Sequence, residues 1–160
     1  MPVVSNTSPI LNLAIVDRLK LRHQQFGQIQ ISAVILEELK VDEERPGSQS
    51  IQAAIADGWI KVQSVDNQTF VQLLRQTLDG GEAEAIALAL ELKAEWVLLD
   101  KRDGRRVAKS LGLQATGGLG VLLKAKQSGE LLSLQPVIEE LTQNAGFRIA
   151  PELLARVLEA

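Results

Sequence analysis

Residues Gly81–Asp100 read GEAEAIALALELKAEWVLLD. The first half, opened by Glu82, is rich in Ala and Leu, the composition of a strong helix former. The second half, Trp96-Val97-Leu98-Leu99, is the clearest buried strand in the chain and stops at Asp100. Asp79-Gly80-Gly81 ends the segment before it. A helix that leads straight into a short, wholly apolar strand is half of a βαβ unit, and a strand apolar on both sides belongs in a sheet covered on both faces. Asp100 then falls at the carboxyl edge of that sheet, where open α/β sheets bind ligands.

The same alternation continues outward in both directions. Val3-Val4-Ser5 reads as a short buried strand. Ser8-Pro9 has the pattern of an N-cap followed by proline at the first helical position. Helical apolar spacing runs from Ile10 to Leu21, and Gly27 breaks it. Ile29-Gln30-Ile31 alternates as a strand, and Ser32 caps a helix carrying Val34, Ile35, Leu36 and Leu39. The segment VDEERPGSQS, residues 41–50, reads as a loop around Pro46-Gly47. Ile51–Ala56 is helical and stops at Asp57-Gly58, Trp59–Val62 is an extended edge segment, and Thr69–Leu78 is a further helix. Beyond Asp100, a helix over Arg105–Leu111 precedes a last strand, Leu113–Ala115. Gly117, Gly118 and Gly120 lead into a helix through Lys126, and helices near Leu134–Thr142 and Pro151–Leu158 finish the chain. The expectation is one domain over residues 1–160, a three-layer α/β/α sandwich around a mostly parallel sheet of roughly four to five short strands.

Composition narrows the chemistry. The chain has 160 residues and is 46% hydrophobic, enough for one compact core. No apolar run reaches the roughly 18 residues of a membrane span, and the N-terminus lacks the basic start of a signal peptide. A soluble, cytoplasmic protein is expected. Cysteine is absent and His23 is the single histidine, which excludes disulfides, thiolate sites and multi-histidine zinc sites. Carboxylates are the plentiful reactive groups. The net charge of −3 does not draw nucleic acid to the whole surface, although a local basic patch can. Aromatics are 3% with no Tyr, so a base-stacking platform is poorly supplied.

Four polar residues each end an apolar run: Asn6, Glu38, Glu82 and Asp100. Gathered at one sheet edge they would make an acidic pocket for a divalent cation, since hard cations choose oxygen ligands. Other readings stand beside this one. Asp79-Gly80-Gly81-Glu82 fits a capping box, in which Glu82 serves the helix end. Glu84 shares the site or faces solvent, and Glu37 belongs to a solvated face because neighbouring helix positions diverge by about 100°. Asp103 is either a further acid ligand or the N-cap of a helix starting at Gly104. Asn6 is either a neutral ligand or a turn residue. Lys101, Arg102, Arg105 and Arg106, with Lys109, either contact phosphate beside Asp100 or form a solvated helix face. Gly117-Gly118-Leu119-Gly120 before a helix could hold a phosphate, but no complete phosphate-loop motif is present and close packing explains the glycines equally well.

The ordered set resembles the PIN-domain family of metal-dependent ribonucleases over most of the chain. The segments that carry the likeness are VVSNTSPIL, ISAVILEEL and GEAEAIALALELKAEWVLLD, in which Glu82 and Asp100 stand eighteen positions apart. LLDKRDGRRVAKSLGL and TGGLGVLLKAK look like a bacterial and archaeal branch of PIN-like proteins. The resemblance implies a PIN-like fold and an endoribonuclease using Mg²⁺ or Mn²⁺. Asp100 would be the best direct ligand, Glu82 and Glu38 would bind directly or through water, and Thr7 and Ser8 would hold waters or phosphate. It also implies RNA as substrate and the toxin role in a toxin–antitoxin pair, as a homodimer neutralised by a small antitoxin protein. The family pattern has Asp where this chain has Asn6, and an inert Asn6 implies instead a catalytically impaired RNA- or protein-binding regulatory module.

Overall fold

The computed structural model describes residues 2–159. The elements run β1 (Val3–Ser5), α1 (Thr7–Ile15), α2 (Lys20–Phe26), β2 (Ile29–Ser32), α3 (Ala33–Leu39), α4 (Ser48–Ala56), β3 (Ile60–Gln63), α5 (Gln68–Leu74), α6 (Gly80–Glu91), β4 (Trp96–Leu98), α7 (Arg102–Ser110), β5 (Gln114–Thr116), α8 (Gly118–Gln127), α9 (Gln135–Asn144) and α10 (Pro151–Glu159). The five strands form one sheet in the order β3-β2-β1-β4-β5, and every pairing is parallel. Helices flank it in the α/β/α arrangement. Parallel neighbours need crossover connections, and the helices between successive strands supply them.

The β1–β4 junction is where the strand order turns. From β1 the chain builds outward through β2 and β3, then returns across the sheet to place β4 on the other side of β1. Such a reversal opens a crevice beyond the carboxyl ends of the two central strands. Val3, Val4 and Ser5 pair with Trp96, Val97 and Leu98, and the Asn6 N–H donates to Leu98 O at 2.9 Å. Asn6 and the Leu99-Asp100 step therefore leave the sheet side by side.

Helix α6 explains why its sequence is so rich in alanine. Every residue from Gly81 to Ala89 is buried, and the helix packs on β1, β2, β4, α3 and α5. A helix enclosed on nearly all sides cannot show an amphipathic stripe, and small residues allow its close approach to the sheet. Ile86 and Leu88 fill the space between, each fully buried.

Several boundaries differ from expectation. Helix α1 starts at Thr7 with Asn6 as N-cap, so Pro9 is its third residue, not its first. Proline is tolerated there because first-turn amides have no intrahelical acceptor. The helical pattern does not run on to Leu21: α1 stops at Ile15, and α2 starts at Lys20 after a turn through Asp17 at φ 56°. The 41–50 loop gives up its last three residues to α4, which starts at Ser48 after Gly47 in the left-handed conformation, φ 87°. A Cβ on Gly47 would also fall 2.9 Å from Ala14 Cβ, so both conformation and space select glycine. Helix α7 starts at Arg102, which puts Asp103 in its first turn and leaves the cap to Lys101.

Leu88→Ala is expected to lower the unfolding free energy by about 2–5 kcal/mol, read by urea denaturation. Leu132→Ala, at a residue 97% exposed, should stay within about 0.5 kcal/mol of the parent. Equal effects at the two positions would contradict the placement of α6.

Candidate functional site at the carboxyl edge of the sheet

Asn6 caps α1 by position only. An N-cap asparagine ordinarily accepts a first-turn amide with its side chain, but Asn6 makes no such bond. Its Oδ1 is buried without a partner and is directed at α6. The Cβ that Gly81 lacks would sit 2.7 Å from Asn6 Oδ1 and 2.9 Å from each Glu38 carboxylate oxygen. Three oxygens, one from the N-cap of α1 and two from α3, thus crowd against the face of Gly81, an approach that a side chain at residue 81 would block. Thr7 Oγ1 donates to Glu38 Oε2 at 2.6 Å and fixes that carboxylate.

Glu82 is the next residue on α6 and is buried. Asp79 caps the helix, its Oδ1 accepting the Glu82 N–H at 2.8 Å. Only this half of the capping box forms. Glu82 Oε1 lies 3.7 Å from Lys101 Nζ, and its Oε2 is buried without a partner. Gly104 makes room for it, since a Cβ there would meet Oε2 at 2.6 Å. Lys101 Nζ also contacts Asp79 Oδ2 at 3.1 Å. Burial, then the hydrogen bond and charge of Asp79, raise the Glu82 carboxyl to about 7. Asp79 is lowered, because its bonds with Glu82 and Lys101 outweigh burial.

Asp100 is held differently. Its Oδ1 accepts the Gly118 N–H at 2.7 Å and its Oδ2 accepts Asn12 Nδ2 at 3.2 Å. The anion at the N-terminus of α8 is this carboxylate, and a Cβ on Gly117 would come within 2.9 Å of it. The Gly117-Gly118 pair therefore serves close approach to Asp100. Burial raises the Asp100 carboxyl, opposed by Gly118, Arg22, Arg105 and Asn12. Arg22 is fully buried; its Nη2 donates to Ser5 Oγ at 2.8 Å, while Nε and Nη1 have no partner. Its own pKa is lowered to about 9 by burial, with Asp100 opposing.

Among the described residues, no three His, Asp or Glu side chains gather closely enough to hold a metal ion. A hard cation fits the edge only if a neutral oxygen takes part, and Asn6 Oδ1, aimed at the same point as the Glu38 carboxylate, is such a donor.

A family model for the PIN domain matches residues 2–160. The chain belongs to the PIN-domain family. PIN domains are generally nuclease-like and generally depend on divalent metal. No curated protein matches the chain. A PilT N-terminus domain protein from the hyperthermophilic archaeon Sulfolobus solfataricus P2 has a similar solved structure, with a TM-score of 0.53 and 22% identity over 78% of this chain and 93% of that one. At that identity the likeness is one of fold.

In this PIN domain the expected residues separate into neighbouring groups. Asn6, Thr7 and Glu38 come together around Gly81, and Ser8 lies in the same first turn of α1. Glu82, Asp103 and Lys101 line a cavity of about 410 Å³ with Asp79. Glu84 is turned elsewhere. Two helical positions on from Glu82 it points about 200° away, its charged neighbours are Glu91 and Arg75, and burial raises its carboxyl. Asp103 is exposed and pairs with Arg106. The basic residues are also divided: Lys101 sits on Asp79 and Glu82, Arg105 donates to the carbonyls of Leu99 and Asp100, and Arg102 carries no ion pair among the described residues. His23 stacks on Trp59, with ring centroids 4.7 Å apart. Sequence reading missed Arg22, Asn12 and the clearance at Gly81 and Gly104. A glycine in the first turn of an otherwise Ala-rich helix was the one available signal.

The raised Glu82 carboxyl has a consequence for stability. Folded protein keeps a proton that the unfolded chain releases between 4.5 and about 7, so stability falls as pH rises through that window. Asp79 acts in the opposite sense and only in acid, below its ordinary 3.8. Urea titrations at about pH 5 and about pH 7.5 should show the parent losing stability towards the higher pH. Glu82→Gln should flatten that slope in part, since Asp100 and Glu84 are raised as well. An unchanged slope in Glu82→Gln would contradict the assignment.

Proposed function

We propose that this PIN domain is a metal-dependent endoribonuclease that hydrolyses phosphodiester bonds of RNA with Mg²⁺ or Mn²⁺. The observation that carries the reading is the gathering of Asn6 Oδ1 and both Glu38 oxygens beside Gly81. Two buried oxygens on this edge, Asn6 Oδ1 and Glu82 Oε2, have no hydrogen-bond donor. Leaving buried polar atoms unsatisfied is costly, and a cation would satisfy them. Asn6 and Glu38 would hold it, with Glu82 and Asp100 on the same edge as the further acids that the family pattern implies. A bound divalent cation supplies a nucleophile of hydroxide strength near neutral pH and offsets charge building on the phosphate. Thr7 keeps the Glu38 carboxylate facing the site. Glu82, with a carboxyl raised to about 7, would lose its proton more readily beside a cation. Lys101, exposed beside Glu82, would contact substrate phosphate. Asp100 holds the start of α8 and Asn12 at the rim.

A second reading has its own observation. Asn6 brings no charge where the family pattern has Asp, so the edge would hold a cation weakly, and the protein would be a binding or regulatory module. The toxin role, with a homodimer and a small antitoxin partner in the cytoplasm, rests on the family likeness alone. No helix among the described residues is long and apolar enough to cross a membrane.

Calorimetry with Mn²⁺ separates the readings. The nuclease reading expects wild-type binding, tightened by about 10–100-fold in Asn6→Asp, where a charge is added, and abolished in Gly81→Ala, whose methyl occupies the oxygen cradle. RNA cleavage should require Mn²⁺ or Mg²⁺ and fall by about 100-fold or more in Glu38→Gln. Wild-type protein that binds no Mn²⁺, with binding restored by Asn6→Asp, supports the module. Cleavage that persists in both Glu38→Gln and Gly81→Ala would sink the mechanism.

A further inference from the structure

A cleft of about 420 Å³ lies beside the carboxyl edge, between α7, the turn after β5 and the C-terminal segment that runs from Phe147 into α10. It contains none of Asn6, Glu38 or Glu82. Four cationic side chains reach it, Arg102, Arg105, Lys109 and Arg148, against one carboxylate, Asp100. The chain as a whole carries −3, so this is a local reversal of sign. Among the described residues none of the four has a carboxylate within 4.0 Å. Asp100 offsets part of this charge, since Arg105 and the buried Arg22 both face it with opposite sign, which leaves Arg102, Lys109 and Arg148 as the uncompensated cations. Arg105 is fixed in place by its bonds to the carbonyls of Leu99 and Asp100.

The other wall is apolar. Leu119 and Leu123 of α8 stand with Phe147, Ile149, Leu153 and Val157. The segment is anchored on α9 by the Phe147 N–H, which donates to Leu141 O at 3.1 Å. Like charges converging on one cleft repel one another unless an anion joins them, and a guanidinium is well matched to phosphate oxygens. A cavity of this size with a charged side and an apolar side suits a small ligand of the same two-sided character. An aromatic ring beside aliphatic side chains offers a face on which a base can lie.

We propose that this cleft binds a nucleoside phosphate, with the phosphate between Arg102 and Lys109 of α7 and Arg148 of the C-terminal segment, and the base against Phe147. The site uses none of the residues assigned to the metal cradle, so it goes beyond the nuclease reading and binds its ligand without metal. The occupant is either a free mononucleotide or the phosphorylated end of an RNA strand, which share this chemistry.

Calorimetry of the full chain in EDTA tests it, with AMP, adenosine, inorganic phosphate and a 5′-phosphorylated tetranucleotide as ligands. AMP should bind about tenfold or more tightly than adenosine or phosphate, because each of those lacks one half of the recognition. Arg148→Glu and Lys109→Glu, both at exposed positions, should each weaken AMP by about tenfold. Phe147→Ala should weaken AMP while leaving phosphate unchanged, and the milder Arg148→Gln serves if a charge reversal disturbs folding as judged by circular dichroism. Glu38→Gln should lose cleavage and keep AMP binding, which separates failure of this site from failure of the nuclease reading. Tighter binding of the tetranucleotide identifies a strand end as occupant, and tighter AMP a free nucleotide; either supports the site. Absence of AMP binding at millimolar concentration, equal affinity for AMP and phosphate, or binding lost in Glu38→Gln and untouched in Arg148→Glu would overturn it.

Discussion

The parallel pairing of β1 with β4 places everything else at the functional edge. Residues distant in sequence become neighbours because Val3–Ser5 lie in register with Trp96–Leu98 and the Asn6 amide extends the ladder by one bond. The pairing demands that α6 cross the sheet closely, and α6 in turn brings Gly81 and Glu82 over the ends of β1 and β2. A shift of one residue in this register would turn alternate side chains to the opposite face and scatter the site.

Buried charge is distributed along that edge in a definite way. Asp100 and Arg22 form the deep layer, where a fully buried guanidinium faces a carboxylate already supplied with two donors. Removing either charge would leave the other buried with less compensation, which is costly. Above it, Glu82, Asp79 and Lys101 form a shallower group in which the lysine supplies positive charge from the protein itself. Asn6 and Glu38 form a third, in which the unpartnered Asn6 Oδ1 and the Thr7-bonded Glu38 carboxylate meet beside Gly81. The cations of α7 and of the C-terminal segment that line the neighbouring cleft lie beyond, with Asp100 at its border.

Much of the fold was legible because burial writes itself into short apolar runs. Trp96–Leu99 read as a buried strand and the Ala-rich run before it as a strong helix, whose enclosure on nearly all sides only the packing shows. Where readings slipped, competing local signals were at work. Ser8-Pro9 looked like a cap, but the β1–β4 ladder extends to the amide of Asn6 and so starts the helix at Thr7. Asp103 looked like a cap, but α7 begins beside the sheet edge at Arg102, two residues earlier than Gly104. Arg22 was invisible as a site residue, since an arginine in LRHQQF reads as surface and only the packing of α2 on α8 and the neighbouring Ser5 shows it enclosed.

The sequence by itself determined the order of elements, the parallel α/β class and the acids that end apolar runs, because each depends on composition and periodicity over a few residues. The tertiary structure alone decided how those polar residues are grouped. Which oxygen meets which depends on helix crossing, on the clearance left by Gly81, Gly104 and Gly117, and on which N–H reaches Asp100 first. Those are distances of a few ångströms between segments far apart in the chain, and no local pattern encodes them.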